Sequence, residues 1–508
     1  MAGHAPASKI RRLDTEVFAR VPGSGVENAK NLVDWPAYAT AGLQDAAVAA
    51  GQSQSHLAEH FSGRKTIYIC SSYSGMGTFE HCMKRLAVAC AGAVEETGVK
   101  FWSASECDQA VRDMLLKSAA CPEHVFGDLT ERVEPQTLAR MKHAVGCLQQ
   151  RARDIAGTKQ TPAQKKVELG KLNDRCMQKL LELAMQAVAA DRVRPTRRCY
   201  CYVHEELCPL LPPGLDDGTD CLLLEAGGNT CVSFSPQGKQ ARWLHDSAVV
   251  AAVWLAWCAG HCDMVMQECS HLFNTSEAMQ AAFPPEQGWH TSAVTVAGKD
   301  LGIPMNRPRN FSWTVRLRRL SMVASLTPSL FLQLCGSELR CDGHDFFILA
   351  EDAAHDYLQA TTEKLLLGEG GFRKYLSEGC LRRLQDYEKF YSRQLAEGKV
   401  VELPVVDLSQ NVSVRATLST MLPALLTGSC VWSMKHQRQL TTLELFFAMG
   451  WPAPVVLDDA SFHAEFPFVQ KQFEETHTRT LTKMVGNSFH CRVAGLFLAA
   501  CLTLTKHR

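Results

Sequence analysis

The chain carries no net charge: Lys plus Arg and Asp plus Glu each number 53. A polyanionic partner is therefore not written into the overall balance, and any nucleic-acid surface has to be a local patch. Long hydrophobic runs are lacking as well. The longest, residues 248–259 and 493–504, fall short of the ~18 needed to cross a bilayer. The first dozen residues contain no apolar stretch of the kind that makes a secretory signal. The expectation is a soluble protein with no membrane partner. Cysteine is too sparse for a disulfide scaffold: 21 of 508 residues is about 4%, against the ~8–10% of such chains, and the count is odd. That argues for a reducing, intracellular compartment. Lys9, Arg11 and Arg12 are too few for a nuclear-import signal by themselves.

What remains is ordinary globular material, 46% apolar and 21% charged, with enough length for a large core. Residues 1–62 have no firm period and read as a loose extension with room for one helix. At Thr66 the texture changes. Thr66 to Cys70 is a β-type run, Ser71 to Glu80 is Gly-rich, and His81 to Cys90 is helical in pattern. A second unit runs from Val99 through Ser105 into Ala110 to Ser118, and a third, shorter one ends at Val125 to Leu129. Strands alternating with helices predict a doubly wound, Rossmann-like α/β sheet, with ligands at the carboxyl ends of its strands.

Gly75 and Gly77 sit on the first strand-to-helix turn, and Glu106 follows the second strand. Glycines there let the backbone approach a ligand, and a carboxylate after the second strand can take ribose hydroxyls. Asp128, after the third strand, is placed to accept from an adenine amino group. No third glycine completes a dinucleotide fingerprint, so adenosine without a pyrophosphate fits better than NAD. Helix capping by Glu106 and Asp128 is the alternative.

Cys231 lies on a second Gly-rich turn, between the apolar strand run Asp220 to Glu225 and the apolar helix run Leu244 to Ala259. A thiol near a helix amino end is biased toward thiolate and is a candidate nucleophile; a buried, inert cysteine is the competing reading. Asp263 to Glu268 is another buried-strand run ending in a carboxylate. Arg307 and Arg309 lie on a turn between strand runs at Ser292 to Ala297 and Phe311 to Leu317. The charged, leucine-spaced stretch from Glu131 to Arg198 predicts a helical hairpin inserted at the periphery of the sheet. After it, Cys199, Cys201, His204 and Cys208 are close enough to serve as zinc ligands. Their spacing is not that of a standard finger, and a Cys-rich connector explains them too, so no metal site is assigned.

Taken in order, these pieces resemble the cytosine-5 DNA methyltransferase family over roughly residues 65–318 and 430–508. Tyr73-Ser-Gly75-Met-Gly77 matches that family's Phe-x-Gly-x-Gly turn, and Ser105 to Asp108 and Gly127 to Leu129 match its next two cofactor segments. Gly228 to Ser235 stands where the family has Gly-x-Pro-Cys-Gln-x-Phe-Ser, and Glu268-Cys-Ser where it has Glu-Asn-Val. Gly302 to Arg309 matches Gly-x-Pro-Gln-x-Arg-x-Arg. Arg438 to Glu444, with Gly450 to Pro452, matches Arg-x-Leu-Thr-x-x-Glu and Gly-Phe-Pro, and Val485 to Phe489 the closing Gly-Asn-Ser segment. Thr230, Val232, Cys269-Ser270 and Met305 depart from the pattern.

The resemblance implies a methyltransferase using S-adenosylmethionine on cytosine C5 in DNA, in the nucleus, acting on a flipped-out base. By the same resemblance Cys231 is the covalent nucleophile, Glu268 the donor to N3, Arg309 the holder of the O2 edge, and Arg307 the orienter of the loop or a phosphate. Tyr73, Ser74, Gly75, Met76, Gly77, Glu106, Cys107, Asp128, Leu129, Asn487 and Ser488 hold the cofactor. A tRNA cytosine methyltransferase, which would use the same residues on a different polymer, is one alternative, and a catalytically inactive DNA-binding relative, given the four departures, is the other. The implied organisation is an extension (1–62), a catalytic domain (63–318) with a helical and Cys-rich insertion (131–214), a target-recognition domain (319–435) and a return to the catalytic domain (436–508). In the target-recognition stretch, Arg340, Arg373, Lys374, Arg382 and Arg383 with Phe346, Phe347, Phe372 and Tyr375 suit phosphate contacts and base stacking.

Overall fold

The computed structural model describes residues 35–49, 56–118, 121–192, 197–215, 220–228, 233–234, 241–362, 370–400, 402–414, 418–452 and 476–508. Its centre is a nine-stranded sheet of β1 (Thr66–Ser72), β2 (Val99–Ser105), β3 (His124–Phe126), β4 (Arg198–Cys201), β5 (Glu206–Pro209), β6 (Cys221–Gly228), β7 (Met264–Ser270), β8 (Trp289–Val296) and β9 (Arg309–Arg316), in the spatial order β5-β4-β3-β2-β1-β6-β7-β9-β8. The five neighbours β3, β2, β1, β6 and β7 are parallel; β4 and β5 at one edge, and β9 near the other, run antiparallel to their neighbours. Strand order reverses between β1 and β6, so a crevice opens at the carboxyl ends of those two strands.

Both faces are covered, and the side chains sort between them with a period of two. Ile67 and Ile69, Leu222 and Leu224, and Met264 and Met266 pack into one core, while Tyr68 and Cys70, Leu223, and Val265 enter the other. The first core is closed by the helices Trp35–Ala49, Thr78–Ala91, Pro328–Cys335 and Cys491–Thr503. Trp35 lies so close to Gly495 that a Cβ there would come 2.0 Å from its ring. The helix for which residues 1–62 had room is present at Trp35–Ala49, and it is built into the core; residues 1–34 and 50–55 lie outside the described ones.

The second core is closed by Ser247–His261 and by the hairpin Pro135–Gly157 and Pro162–Arg192, both of whose helices open on proline, where the missing N–H costs nothing. The hairpin is present as expected, but it is not peripheral. Leu172, Met177, Leu180, Leu181 and Val188 are buried in the same cluster as Trp254 and Val265, and β4 and β5 extend the sheet itself. Sequence periodicity finds a helix; it does not say how much of the helix is covered.

A smaller core gathers Leu358, Phe372, Tyr375, Leu384, Tyr387 and Trp432 around a three-stranded antiparallel sheet, Val405–Asp407, Val431–Ser433 and Arg438–Gln439. The aromatic residues expected to stack on bases are interior: Phe346, Phe347, Phe372 and Tyr375 are all buried. Of the basic residues beside them, Arg373 pairs with Glu388 and Arg383 donates to the Leu408 carbonyl, whereas Arg382 is exposed. Residues 478–503 form a stretch long and apolar enough to cross a membrane by length and composition, yet it is two helices separated at Ser488, and every residue from Cys491 to Thr503 is buried in the protein core.

Candidate active site at the carboxyl ends of the central strands

After β1 the chain turns through Tyr73, Gly75 and Gly77, all with positive φ (55°, 58° and 85°). Glycine takes that conformation without strain; Tyr73 is held in it. Ser74 anchors the turn, its N–H and hydroxyl donating to the Ser105 carbonyl and its Oγ accepting from the Ser105 N–H at 3.0 Å. It is therefore a positioning residue. Ser71 bonds both to Ser74 and to the buried Glu80, whose carboxyl is raised to about 7 by burial against the opposing effect of the Ser71 hydroxyl.

Glu106 sits at the end of β2 and joins two loops. Its Oε2 accepts from the Gly75 N–H at 2.9 Å and its Oε1 from the Asp108 N–H at 2.8 Å. Each oxygen keeps a further lone pair, so the carboxylate can still accept two hydroxyls. A Cβ added at Gly75 would meet nothing within 4 Å, which leaves room at the turn. The Tyr73 hydroxyl is buried with no hydrogen-bond partner among the described residues, and burial pushes its ionisation well above the ordinary value. Cys107 and Asp128 are exposed at the same edge, Asp128 capping the turn through Thr130 N–H at 2.8 Å, while Met76 and Leu129 are buried beneath. An open turn, a carboxylate with capacity to spare and an orphaned phenol fit an adenosine-type ligand such as S-adenosylmethionine.

Three features here are not apparent from the sequence. Arg112 donates from Nη1 to the Glu106 and Cys107 carbonyls, and its guanidinium lies 3.8 Å from the Tyr202 ring centroid. Lys483 bonds Asp108 at 2.5 Å, tying helix Thr478–Asn487 to the end of β2. Beneath the crevice, Arg132 reaches Glu225 at 3.4 Å and the Ser72 and Ser105 hydroxyls at 3.1 Å, and Trp254 Nε1 donates to Glu225 at 3.2 Å. The one signal for that network was a glutamate inside an apolar strand run.

The other side of the crevice is built by β6, β7 and β9. Gly228 and Glu268 are Cα partners across β6 and β7. Arg309 Nε lies 3.0 Å from Glu268 Oε1, and Arg309 Nη1 donates to the Pro308 carbonyl. Burial raises the Glu268 carboxyl, with Arg309 and then Arg307 pulling the other way. Arg307 is held differently. It is 7% exposed, and its guanidinium donates to the carbonyls of Leu425, Gly486 and Ser488 at 2.9–3.1 Å, so it locks the closing segment to the sheet. Ser488 is buried and closes its own helix by donating to the Val485 carbonyl; Asn487 is exposed. Phe489 packs over the end of β6, where a Cβ at Gly228 would come 2.4 Å from its ring. Cys231, with Thr230 and Val232, lies outside the described residues. The other two departures from the family pattern are interior, Cys269 in one core and Met305 in the other.

No protein-family model and no curated protein sequence matches the chain. Similar solved structures include a Dnmt2 methyltransferase of S. pombe (10% identity, TM-score 0.40, covering 86% of this chain and 98% of that one). A DNMT2 mutant of Spodoptera frugiperda (11%, 0.39, 86% and 99%) and the methyltransferase EhMeth of Entamoeba histolytica (10%, 0.37, 86% and 98%) are also among them. Identities and TM-scores this low carry no inference about activity, so the chemistry rests on this chain's own residues.

Proposed function

We propose that the chain transfers the methyl group of S-adenosylmethionine to C5 of cytosine in nuclear DNA, through a covalent adduct between Cys231 and a base turned out of the duplex. The observation that carries this reading is the Glu268–Arg309 pair beside Gly228, on the strand whose continuation holds Cys231 three residues later.

Cytosine C5 is a poor nucleophile until a thiolate adds at C6, which is the role of Cys231. Addition shifts electron density toward N3. Burial favours the protonated form of the Glu268 carboxyl, which when protonated donates there, and Arg309, on the same edge, carries the charge that holds the O2 side of the ring. The cofactor, when bound, supplies an electrophilic methyl on a sulfonium centre. Glu106 would hold its ribose, and Tyr73, Gly75, Gly77 and Asp128 line the remaining edge. A base, water or hydroxide from solvent, then takes the C5 proton, the C5–C6 double bond re-forms, and the C6–sulfur bond breaks with Cys231 leaving as its thiolate. Such chemistry requires the base outside the stack.

A tritiated-methyl transfer assay on duplex DNA and on tRNA, with wild type beside Cys231→Ser, tests the reading. Label on DNA that disappears in the variant is the expected result. Label on tRNA alone would change the substrate, and DNA binding without label would make the chain a non-catalytic binder.

A further inference from the structure

The hairpin formed by β4 and β5 brings two thiols and an imidazole to one point, and β3 adds a second imidazole beneath them. Cys201 ends β4, His204 lies in the tight turn beside left-handed Glu205 (φ 54°), Cys208 is on β5, and His124 opens β3. The ligand atoms of these four residues all lie within 4.8 Å of one another. His204 Nδ1 is 3.4 Å from Cys201 Sγ and 3.5 Å from Cys208 Sγ, and His124 Nδ1 is 3.7 Å from Cys201 Sγ. A tetrahedral zinc with bonds of ~2.3 Å to sulfur and ~2.0–2.1 Å to nitrogen sets nitrogen and sulfur ~3.6 Å apart. The three nitrogen–sulfur distances cluster at that edge length.

Thiol-to-imidazole hydrogen bonds would give one such contact, not this arrangement. A neutral imidazole has a single acceptor nitrogen, yet His204 Nδ1 faces two sulfurs at once. One central cation satisfies all four groups. The far nitrogen of His124 is buried with no hydrogen-bond partner among the described residues, and the Glu123 carboxylate, 3.9 Å from it, is the nearest anionic group on that side. Cys199, which the sequence offered as a fourth ligand, is aimed elsewhere: its Sγ donates to the Glu131 carbonyl at 3.6 Å.

We propose that His124, Cys201, His204 and Cys208 form a structural zinc site. Its set is closed, two thiolates and two imidazoles, so it leaves no coordination position for catalysis. The need for it follows from the topology. β4 and β5 are four residues each, and β4 joins β3 through one residue pair, Phe126 with Cys201, and the Tyr202 N–H to the Val125 carbonyl. A ribbon that short is marginal without further support. The metal would fix Tyr202, which lies between two of the ligands, and thereby the guanidinium of Arg112 that grips the Glu106 and Cys107 backbone.

The test is metal analysis of the full chain purified in reductant without chelator. About one zinc per chain is expected, with loss of ~90% of it in Cys208→Ser and in His124→Ala and full retention in Cys199→Ser. Cobalt(II) added to the metal-free wild type should give the intense thiolate and tetrahedral absorption bands of a saturable site, a readout that needs no variant. Chelation should also raise the hydrogen-exchange rate of the Tyr202 amide by about tenfold or more. Wild type without stoichiometric zinc and without a saturable cobalt spectrum overturns the proposal. So does a Cys199→Ser variant that loses the metal while His124→Ala keeps it, or a Cys199–Cys208 disulfide found in the native protein.

Discussion

Arg309 meets Glu268 across two antiparallel strands, Nε to Oε1 at 3.0 Å, although their Cα register partners are Ser270 and Phe311. The arginine favours the carboxylate and burial favours the acid; burial wins, and the group is raised above the ordinary carboxyl value. A raised carboxyl keeps its proton to higher pH, so a step that uses the acid slows as pH rises through the shifted value. Turnover should therefore fall on the alkaline side in wild type. Glu268→Gln, which keeps a donor that cannot ionise, should flatten that limb, while Glu268→Ala should lose on the order of 10²–10⁴-fold in kcat. A pH–rate profile of methyl transfer for the three proteins decides it; an alkaline limb unchanged in Glu268→Gln would assign the ionisation to another group.

The two arginines of the same turn should behave differently. Arg307 is committed to three backbone carbonyls, and removing it leaves them buried without that donor, at about 1–3 kcal/mol each. Arg307→Ala should lower unfolding stability by about 3 kcal/mol or more, with kcat of the folded fraction little changed. Arg309→Ala should do the reverse, losing turnover while costing less stability than Arg307→Ala, because the buried Glu268 carboxyl left without its partner can take up a proton. Denaturant melts beside steady-state kinetics separate the two, and equal behaviour would remove the distinction.

The strands β1, β2, β3, β6 and β7 were legible because each is a short run of mostly apolar residues, and Glu106, Asp128 and Glu268 stand at the stops of three of them, whereas the short β4 and β5, Arg-Cys-Tyr-Cys and Glu-Leu-Cys-Pro, read as a Cys-rich connector. Arg307 and Arg309 were indistinguishable in sequence, since two residues of separation does not reveal that one points inward to Leu425 and Gly486, over a hundred positions later. His124 was invisible as a ligand for the same reason: it stands 77 positions from Cys201 and meets it through the pairing of β3 with β4. The base-stacking aromatics were misjudged because composition does not separate an interior Phe372 from a displayed one.

Deleting the hairpin tests how far it is integrated. An insertion peripheral to the sheet would tolerate replacement of residues 135–190 by a Gly/Ser linker. Instead, Met141, Val145, Leu172, Met177, Leu180, Leu181 and Val188 are buried against the helix Ser247–His261 and its surroundings. At about 1.5–3 kcal/mol for each large apolar side chain, their joint loss is about 10–20 kcal/mol, as large as the 5–15 kcal/mol by which most domains are stable. The deleted protein should lack a cooperative thermal transition by circular dichroism. A sharp transition with cofactor binding intact would return the hairpin to the periphery.

The nucleophile is assigned by sequence position, so its test must identify the atom. DNA containing 5-fluorocytosine carries at C5 an atom that cannot leave as a proton, so an enzyme that adds a thiolate at C6 and methylates C5 cannot complete elimination and stays attached. The wild-type chain should form a denaturation-resistant adduct with such DNA, only when S-adenosylmethionine is present, and Cys231→Ser should form none. Glu268→Ala should form it at least 10²-fold more slowly, since the proton donated to N3 assists the addition that precedes methyl transfer. The loop lacks the proline and glutamine of the family pattern, having Thr230 and Val232 instead, so slow adduct formation is expected even in wild type. An adduct that persists in Cys231→Ser would move the chemistry to another of the 21 cysteines. Among the described ones, Cys107 is exposed at the cofactor edge, and peptide mapping of the adduct would identify it directly.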